Sequence, residues 1–154
     1  MSLVEIRAGR PGDTGAMEGV FRRASLSNAG DRAALLAHPE ALRLSEDLVG
    51  RGRARVATLA DGTILGFAST RPTQAATLEL DDLFVEPAWM RHGVARALIH
   101  AIGAQAAVEG VTRVEVTANE HALGFYRAVG FVVDGPADTE FGPGLRMHLD
   151  VVKA

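Results

Sequence analysis

Leu78–Ala107 reads LELDDLFVEPAWMRHGVARALIHAIGAQAA, and the order of residue types in it decides the fold. Leu78, Leu80 and the run Leu83-Phe84-Val85 predict a strand over Thr77–Val85, broken by Glu86-Pro87. A small-residue loop follows. Beyond it Val94, Leu98, Ile102 and Ala106, joined by Ala95 and Ile99, recur at the helical period, and Gly110 supplies the C-terminal stop. The loop therefore presents bare amides at a helix start. Four N–H groups there lack internal partners and the macrodipole adds roughly +0.5 charge, so the place suits a phosphate. Gly93 and Ala95 keep side chains clear of a close-approaching ligand, which makes this loop the place to seek a nucleotide-type cofactor.

Upstream, Leu3–Arg7 alternates as a short strand, and Pro11-Gly12-Asp13 turns into a helix over Thr14–Ser25, with Asp13 or Thr14 as its cap. A second helical region over Asp31–Val49 is interrupted at His38-Pro39. Residues 53–59 and 63–70 flank Ala60-Asp61-Gly62 and form a hairpin. Downstream, Thr112–Ala118 alternates as a strand and His121–Val129 is a short helix ending at Gly130. Phe131–Asp134 begins another strand. A Gly/Pro-rich loop over Asp134–Gly144 leads to a last strand at Leu145–Val152. No linker, repeat or low-complexity tract interrupts the chain, so residues 1–154 read as a single domain. The fold class is α/β, with a mixed, mostly antiparallel central sheet of about 6–7 strands flanked by helices.

Hydrophobic residues make up 47% of the chain and charged ones 23%, the balance of a folded soluble protein. The net charge of −3 gives no electrostatic basis for nucleic-acid binding, although arginines cluster at Arg51, Arg53 and Arg55. Without cysteine there is no disulfide, no thiol nucleophile and no Cys-ligated zinc, which agrees with a cytoplasmic protein. No apolar run approaches the ~18 residues that span a bilayer, so no membrane partner is expected. The five histidines (His38, His92, His100, His121, His148) show no metal-ligand spacing, and no metal is expected.

Leu80–Leu98 followed by Val114–Phe131 resembles the two signature motifs of the GNAT superfamily, the acetyl-CoA-dependent N-acetyltransferases. The first is a strand ending in apolar-x-Val-x-Pro, then Gln/Arg-x-x-Gly-x-Gly/Ala opening a helix. Here it reads Leu83-Phe84-Val85-Glu86-Pro87 and Met90-Arg91-His92-Gly93-Val94-Ala95. The second reads Asn119-Glu120-His121-Ala122-Leu123-Gly124-Phe125-Tyr126, then Gly130-Phe131. Met90 departs from the family, because its thioether cannot hydrogen-bond a pyrophosphate oxygen as Gln or Arg can; Arg91 next to it carries charge. The resemblance covers nearly the whole chain.

The resemblance implies acetyl-CoA in a wedge where the strands around Leu83 and Val116 splay apart. It implies cofactor contacts at Leu83, Phe84, Val85, Met90, Arg91, His92, Gly93, Val94, Ala95, Arg96, Asn119, Ala122, Phe125 and Tyr126. It further implies direct attack of a primary amine on the thioester within a ternary complex. Tyr126, the one tyrosine of the chain, matches the general acid; Glu79 matches a family base, with Asp81 on the same strand face as second choice. Each residue also has a plainer reading: Tyr126 as a core aromatic, Asn119 as a helix cap, Glu79 and Asp81 as a solvated face, Trp89 as a surface-turn residue. A Rossmann or P-loop nucleotide binder is disfavoured, because Gly-x-Gly-x-x-Gly and Gly-Lys-Ser/Thr are both absent. A GNAT-fold acyl-CoA sensor or scaffold without turnover is the alternative function. The acceptor groove implied by the fold falls on Thr14–Val49 and Asp134–Gly144, where Glu46, Asp47, Asp134, Asp138 and Glu140 would suit a cationic amine, small or on a protein. A free last strand admits a homodimer.

Overall fold

A computed structural model describes residues 4–27, 53–139 and 142–152, together with residues 32, 33, 36, 37, 40, 44 and 49. The predicted helix over Asp31–Val49 falls largely outside the described residues, as do His38, Glu46, Asp47, Arg51 and Glu140. The elements run β1 (Glu5–Ala8), α1 (Thr14–Leu26), β2 (Ala54–Thr58), β3 (Ile64–Pro72), β4 (Thr77–Val85), α2 (Val94–Val108), β5 (Arg113–Asn119), α3 (Leu123–Ala128), β6 (Val132–Thr139) and β7 (Gly142–Asp150). A 3-10 turn over Pro87–Trp89 separates β4 from the loop before α2. The seven strands form a mixed sheet in the order β1-β2-β3-β4-β5-β7-β6, flanked by helices. The ladders β1–β2, β2–β3, β5–β7 and β6–β7 are antiparallel, and β4–β5 is parallel over Thr77–Glu79. By their contacts the residues group into two compact units, 1–69 with 82–98, and 70–81 with 99–154.

The first unit is built on the pairing of α1 with β2 and β3. Met17 and Val20 of α1 bury fully with Val56 and Phe67, and Phe21, Leu44, Ile64 and Phe84 close around them. The Phe84 ring stands 4.7 Å from Phe21 and 5.7 Å from Phe67, tilted against both. On β3, Gly66 leaves room for α2. A Cβ built there would lie 2.9 Å from the Phe84 carbonyl and 3.2 Å from Val94 Cγ1. The expected Asp13 cap is corrected by the structure. Asp13 occupies the N-cap position of α1 without a side-chain bond to the helix. Its carboxylate instead takes the Arg7 guanidinium at 2.8 and 3.2 Å and the Arg10 N–H at 2.7 Å. Arg7 holds this carboxyl below the usual range, so the tether between β1 and α1 is present at neutral pH and is lost as acid protonates it.

The second unit is amphipathic by alternation. Val114, Val116 and Ala118 of β5 are buried, opposite Leu149, Met147 and Leu145 of β7. The intervening residues place Glu115 beside His148 and Thr117 beside Arg146 on the other face. The expected loop over Asp134–Gly144 is also corrected: most of it is strand, paired from Gly135↔Arg146 to Thr139↔Gly142. The prolines do not prevent this. Pro136 lies on the edge strand β6, and Pro143 lies beyond the last β5–β7 pair, Asn119↔Gly144.

Gly66→Ala should cost about 1–3 kcal/mol of stability through overpacking against backbone. A fall in Tm measured by thermal melting is the expected result; an unchanged Tm would mean that α2 does not press on β3 at this point.

Candidate active site

One set of candidate residues lies in the first unit, where β4 runs into the loop and α2. Asp82 accepts a 2.5 Å hydrogen bond from the buried Ser69 hydroxyl. Leu83 is half-buried, Val85 is buried, and the Phe84 side chain belongs to the core, which leaves Phe84 only its backbone to offer a ligand. The strand end is pinned twice at Glu86: its N–H donates to Leu65 O at 2.7 Å, and its carboxylate takes Arg23 of α1 at 2.5 and 3.0 Å. The loop then turns through Arg91 at φ 66° and Gly93 at φ 83°. A left-handed conformation at an arginine costs roughly 1–2 kcal/mol, the kind of strain that functional loops retain. A Cβ at Gly93 would meet nothing within 4 Å, so the loop opens to space.

Sequence reading placed bare amides here, and the bonds agree. The first helical bond of α2 runs from Ala97 N–H to Gly93 O, and among the described residues the amides of Gly93, Val94, Ala95 and Arg96 meet no acceptor. Arg91 and Arg96 are exposed, and no carboxylate among the described residues pairs with either. Met90 is 42% exposed, and the rings of Trp89 and His92 lie 5.5 Å apart. This is a positive, backbone-lined loop of a kind suited to an anion.

A second set of candidate residues lies in the other unit. Asn119 ends β5, and its Oδ1 accepts the Ala122 N–H at 3.0 Å. It therefore caps the turn before α3 and leaves its NH₂ as a donor. The N-cap of α3 itself is Ala122, three residues later than a cap at Asn119 would place it. Tyr126 is packed edge-on between Phe125 at 5.3 Å and Phe131 at 5.1 Å. Burial alone pushes its phenol well above the usual range. The Tyr126 phenol thus keeps its proton at neutral pH.

The two carboxylates singled out on β4 are both held by arginines. Arg146 of β7 forks onto Glu79 at 2.7 and 3.0 Å, and Arg71 of β3 forks onto Asp81 at 3.0 and 3.2 Å. Arg146 also reaches Thr117 at 2.9 Å and Glu115 at 3.3 Å. Sequence reasoning missed Glu115 and Arg146. The alternation of β5 put Glu115 opposite the buried valines, but nothing local marks Arg146, which lies 67 residues from Glu79. Among the described residues no cluster of three or more His, Cys, Asp or Glu could hold a metal ion, and no helix is long and apolar enough to cross a membrane.

The family model described as an acetyltransferase (GNAT) domain matches residues 34–148. The chain belongs to the GNAT acetyltransferase family. An uncharacterised N-acetyltransferase of Mycobacterium tuberculosis (strain ATCC 25618 / H37Rv) is 32% identical to this GNAT chain over 103 residues. The match covers 65% of this chain and 66% of the relative, so the chain spans just under two thirds of that relative's length. Among solved structures, a PaiA N-acetyltransferase from Thermoplasma acidophilum in complex with coenzyme A superposes with a TM-score of 0.76 at 19% identity, covering 97% of this chain and 99% of that one. The ribosomal-protein-S18-alanine N-acetyltransferase from Escherichia coli superposes at 0.72 and 21% identity, covering 98% and 96%. These two share the GNAT fold.

Because Tyr126 is the sole tyrosine, the tyrosinate absorption band reports on it alone. The raised phenol favours the folded state below the ordinary tyrosine value of 10.0, and that contribution is lost as pH rises beyond it. In an alkaline titration the folded protein should show no band near pH ~10, whereas the denatured chain should titrate there. Coincident titrations of folded and denatured protein would mean that the phenol is not buried.

Proposed function

We propose that this protein is an acetyl-CoA-dependent N-acetyltransferase, acting as a single domain over residues 1–154 and transferring acetyl to a primary amine by direct attack in a ternary complex. The observation that carries this reading is the exposed loop, set directly after the Leu83–Val85 strand, whose amides at Gly93–Arg96 and guanidinium groups at Arg91 and Arg96 have no partner among the described residues. A diphosphate fits such a loop, and the open space at Gly93 lets its oxygens approach the backbone. Arg91 and Arg96 stand in for the side-chain donor that Met90 lacks. The coenzyme A complex of the Thermoplasma neighbour supports the choice of cofactor.

Acetyl-CoA would supply an acyl group activated as a thioester. On this reading the amides of Gly93–Arg96 bind its phosphates, and the backbone of Leu83–Val85 pairs with its extended arm as an added strand would. The Leu83 N–H donates to the oxygen on which negative charge develops. The Asn119 NH₂ holds the arm, and Ala122 and Phe125 shape the floor before Tyr126. Glu79, with Asp81 as second choice, takes a proton from the incoming ammonium, whose free pKa is ~10.4. The Tyr126 hydroxyl gives a proton to the departing sulfur.

A second reading is favoured by one observation: both candidate bases are engaged by arginine forks. That arrangement would equally suit an acyl-CoA-binding sensor or scaffold without turnover.

Calorimetric titration with acetyl-CoA, with NADH as control, tests the cofactor, and the single tryptophan, Trp89, gives a second signal because it sits beside the loop. Saturable one-to-one binding of acetyl-CoA alone is expected. In an amine screen, Tyr126→Phe should lower kcat by about 10²-fold while leaving acetyl-CoA affinity unchanged. Binding without turnover of any amine would select the sensor reading, and absence of binding would overturn both.

A further inference from the structure

On the polar face of the second unit one guanidinium gathers two carboxylates. Glu79 and Glu115 stand directly opposite each other in the parallel β4–β5 ladder. Their side chains are 14% and 19% exposed, so their mutual repulsion is only partly screened by water. Arg146 enters this face from β7, paired with Thr117. It donates Nη1 to Glu79 Oε2 and to Thr117 Oγ1, and Nη2 to Glu79 Oε1 and to Glu115 Oε2. The Glu79 carboxylate raises the Arg146 guanidinium further above its ordinary value, so the cation is permanent. Two carboxylates and one cation leave one negative charge uncompensated on this face.

We infer that Arg146 is the positioning residue of the transfer reaction: it holds the Glu79 carboxylate in a fixed orientation for the incoming ammonium. This rests on the N-acetyltransferase reading above. A carboxylate has about four lone-pair sites. The fork occupies one on each oxygen, and the others remain for an ammonium proton. The proton then passes from the nitrogen to a Glu79 oxygen, and the nitrogen keeps the electron pair with which it attacks. Thr117 fixes the rotamer of Arg146, and Glu115 supplies the second anchor that keeps the fork from following Glu79 as Glu79 protonates.

The charged groups around the cluster are Asp81 with Arg71, Arg113 with Asp134, and His148. His148 Nδ1 lies 2.7 Å from Asp134 Oδ1, and its Nε2 lies 3.9 Å from Asp150. His148 is also the ladder partner of Glu115, so it is the neighbour whose titration must be separated from that of the cluster.

Without the guanidinium two like charges face each other, and one of them takes up a proton at a higher pH. The test is the pH profile of kcat/KM for wild type, Arg146→Gln, Arg146→Lys and His148→Gln, with thermal melts of each. Arg146→Gln should move the acidic limb up by about one pH unit and recover activity in alkali. Arg146→Lys should keep the limb in place with a lower kcat, because the charge is kept and the fork is lost. His148→Gln should leave the limb unmoved, and in a Glu79→Gln background Arg146→Gln should move nothing further. A rate lowered equally at all pH values in Arg146→Gln, or a limb that follows His148, would overturn the inference. If Arg146→Gln does not fold, the lysine variant decides: a displaced limb there overturns the proposal. Carbon-13 carboxyl titration of Glu79 gives a readout independent of turnover. A midpoint that rises in Arg146→Gln supports the clamp even if no amine is acetylated, which would fail the enzyme reading alone; an unchanged midpoint refutes the clamp itself.

Discussion

The close approach of α2 to β3 at Gly66 is the constraint on which the first unit rests. With no side chain between them, the Phe84 carbonyl and the first turn of α2 both lie where a Cβ would stand. That contact fixes the start of α2, and the start of α2 fixes where its unmatched amides point. The loop reaches this position through a left-handed arginine, an unfavourable conformation that persists because both ends are held. Glu86 anchors one end through Leu65 and Arg23, and the buried Val94 anchors the other. Packing in the core thus sets the geometry of a backbone surface.

The charge pattern of β4 changes meaning between sequence and structure. Glu79, Asp81 and Asp82 read together as an acidic strand, yet each carboxylate has a specific donor: Arg146, Arg71 and Ser69. Two of the three form ion pairs, Glu79 with Arg146 and Asp81 with Arg71, while Asp82 has a neutral hydroxyl. At Arg91 and Arg96, by contrast, no carboxylate among the described residues pairs with the guanidinium.

Local patterns were readable where local forces decide them. β4 begins and ends at the residues its alternation and its proline indicate, and the Asp-Gly hairpin and the helix after Gly93 lie where their periods place them. Composition misled at Asp134–Gly144, because glycine and proline suggest a loop while an edge strand tolerates both. Asp13 was read as a cap from its position, but an arginine six residues earlier offers a charged partner that outcompetes a neutral amide. Arg146 was invisible for a different reason. Its role depends on register between strands far apart in sequence, and register is a property of the assembled sheet.

The position of β7 bears on how the chain is made. It is the latest strand in the sequence, yet it stands between β5 and β6, both synthesised before it. During translation β5 can join β4 through the Thr77–Glu79 ladder, but its other edge and the whole of β6 stay unpaired until residues 142–150 emerge, while the first unit already has all its described strands. A ribosome paused shortly before Gly142 would therefore display unpaired strand backbone to chaperones and to other nascent chains, and a frameshift after β6 would leave β6 and the open side of β5 unpaired permanently.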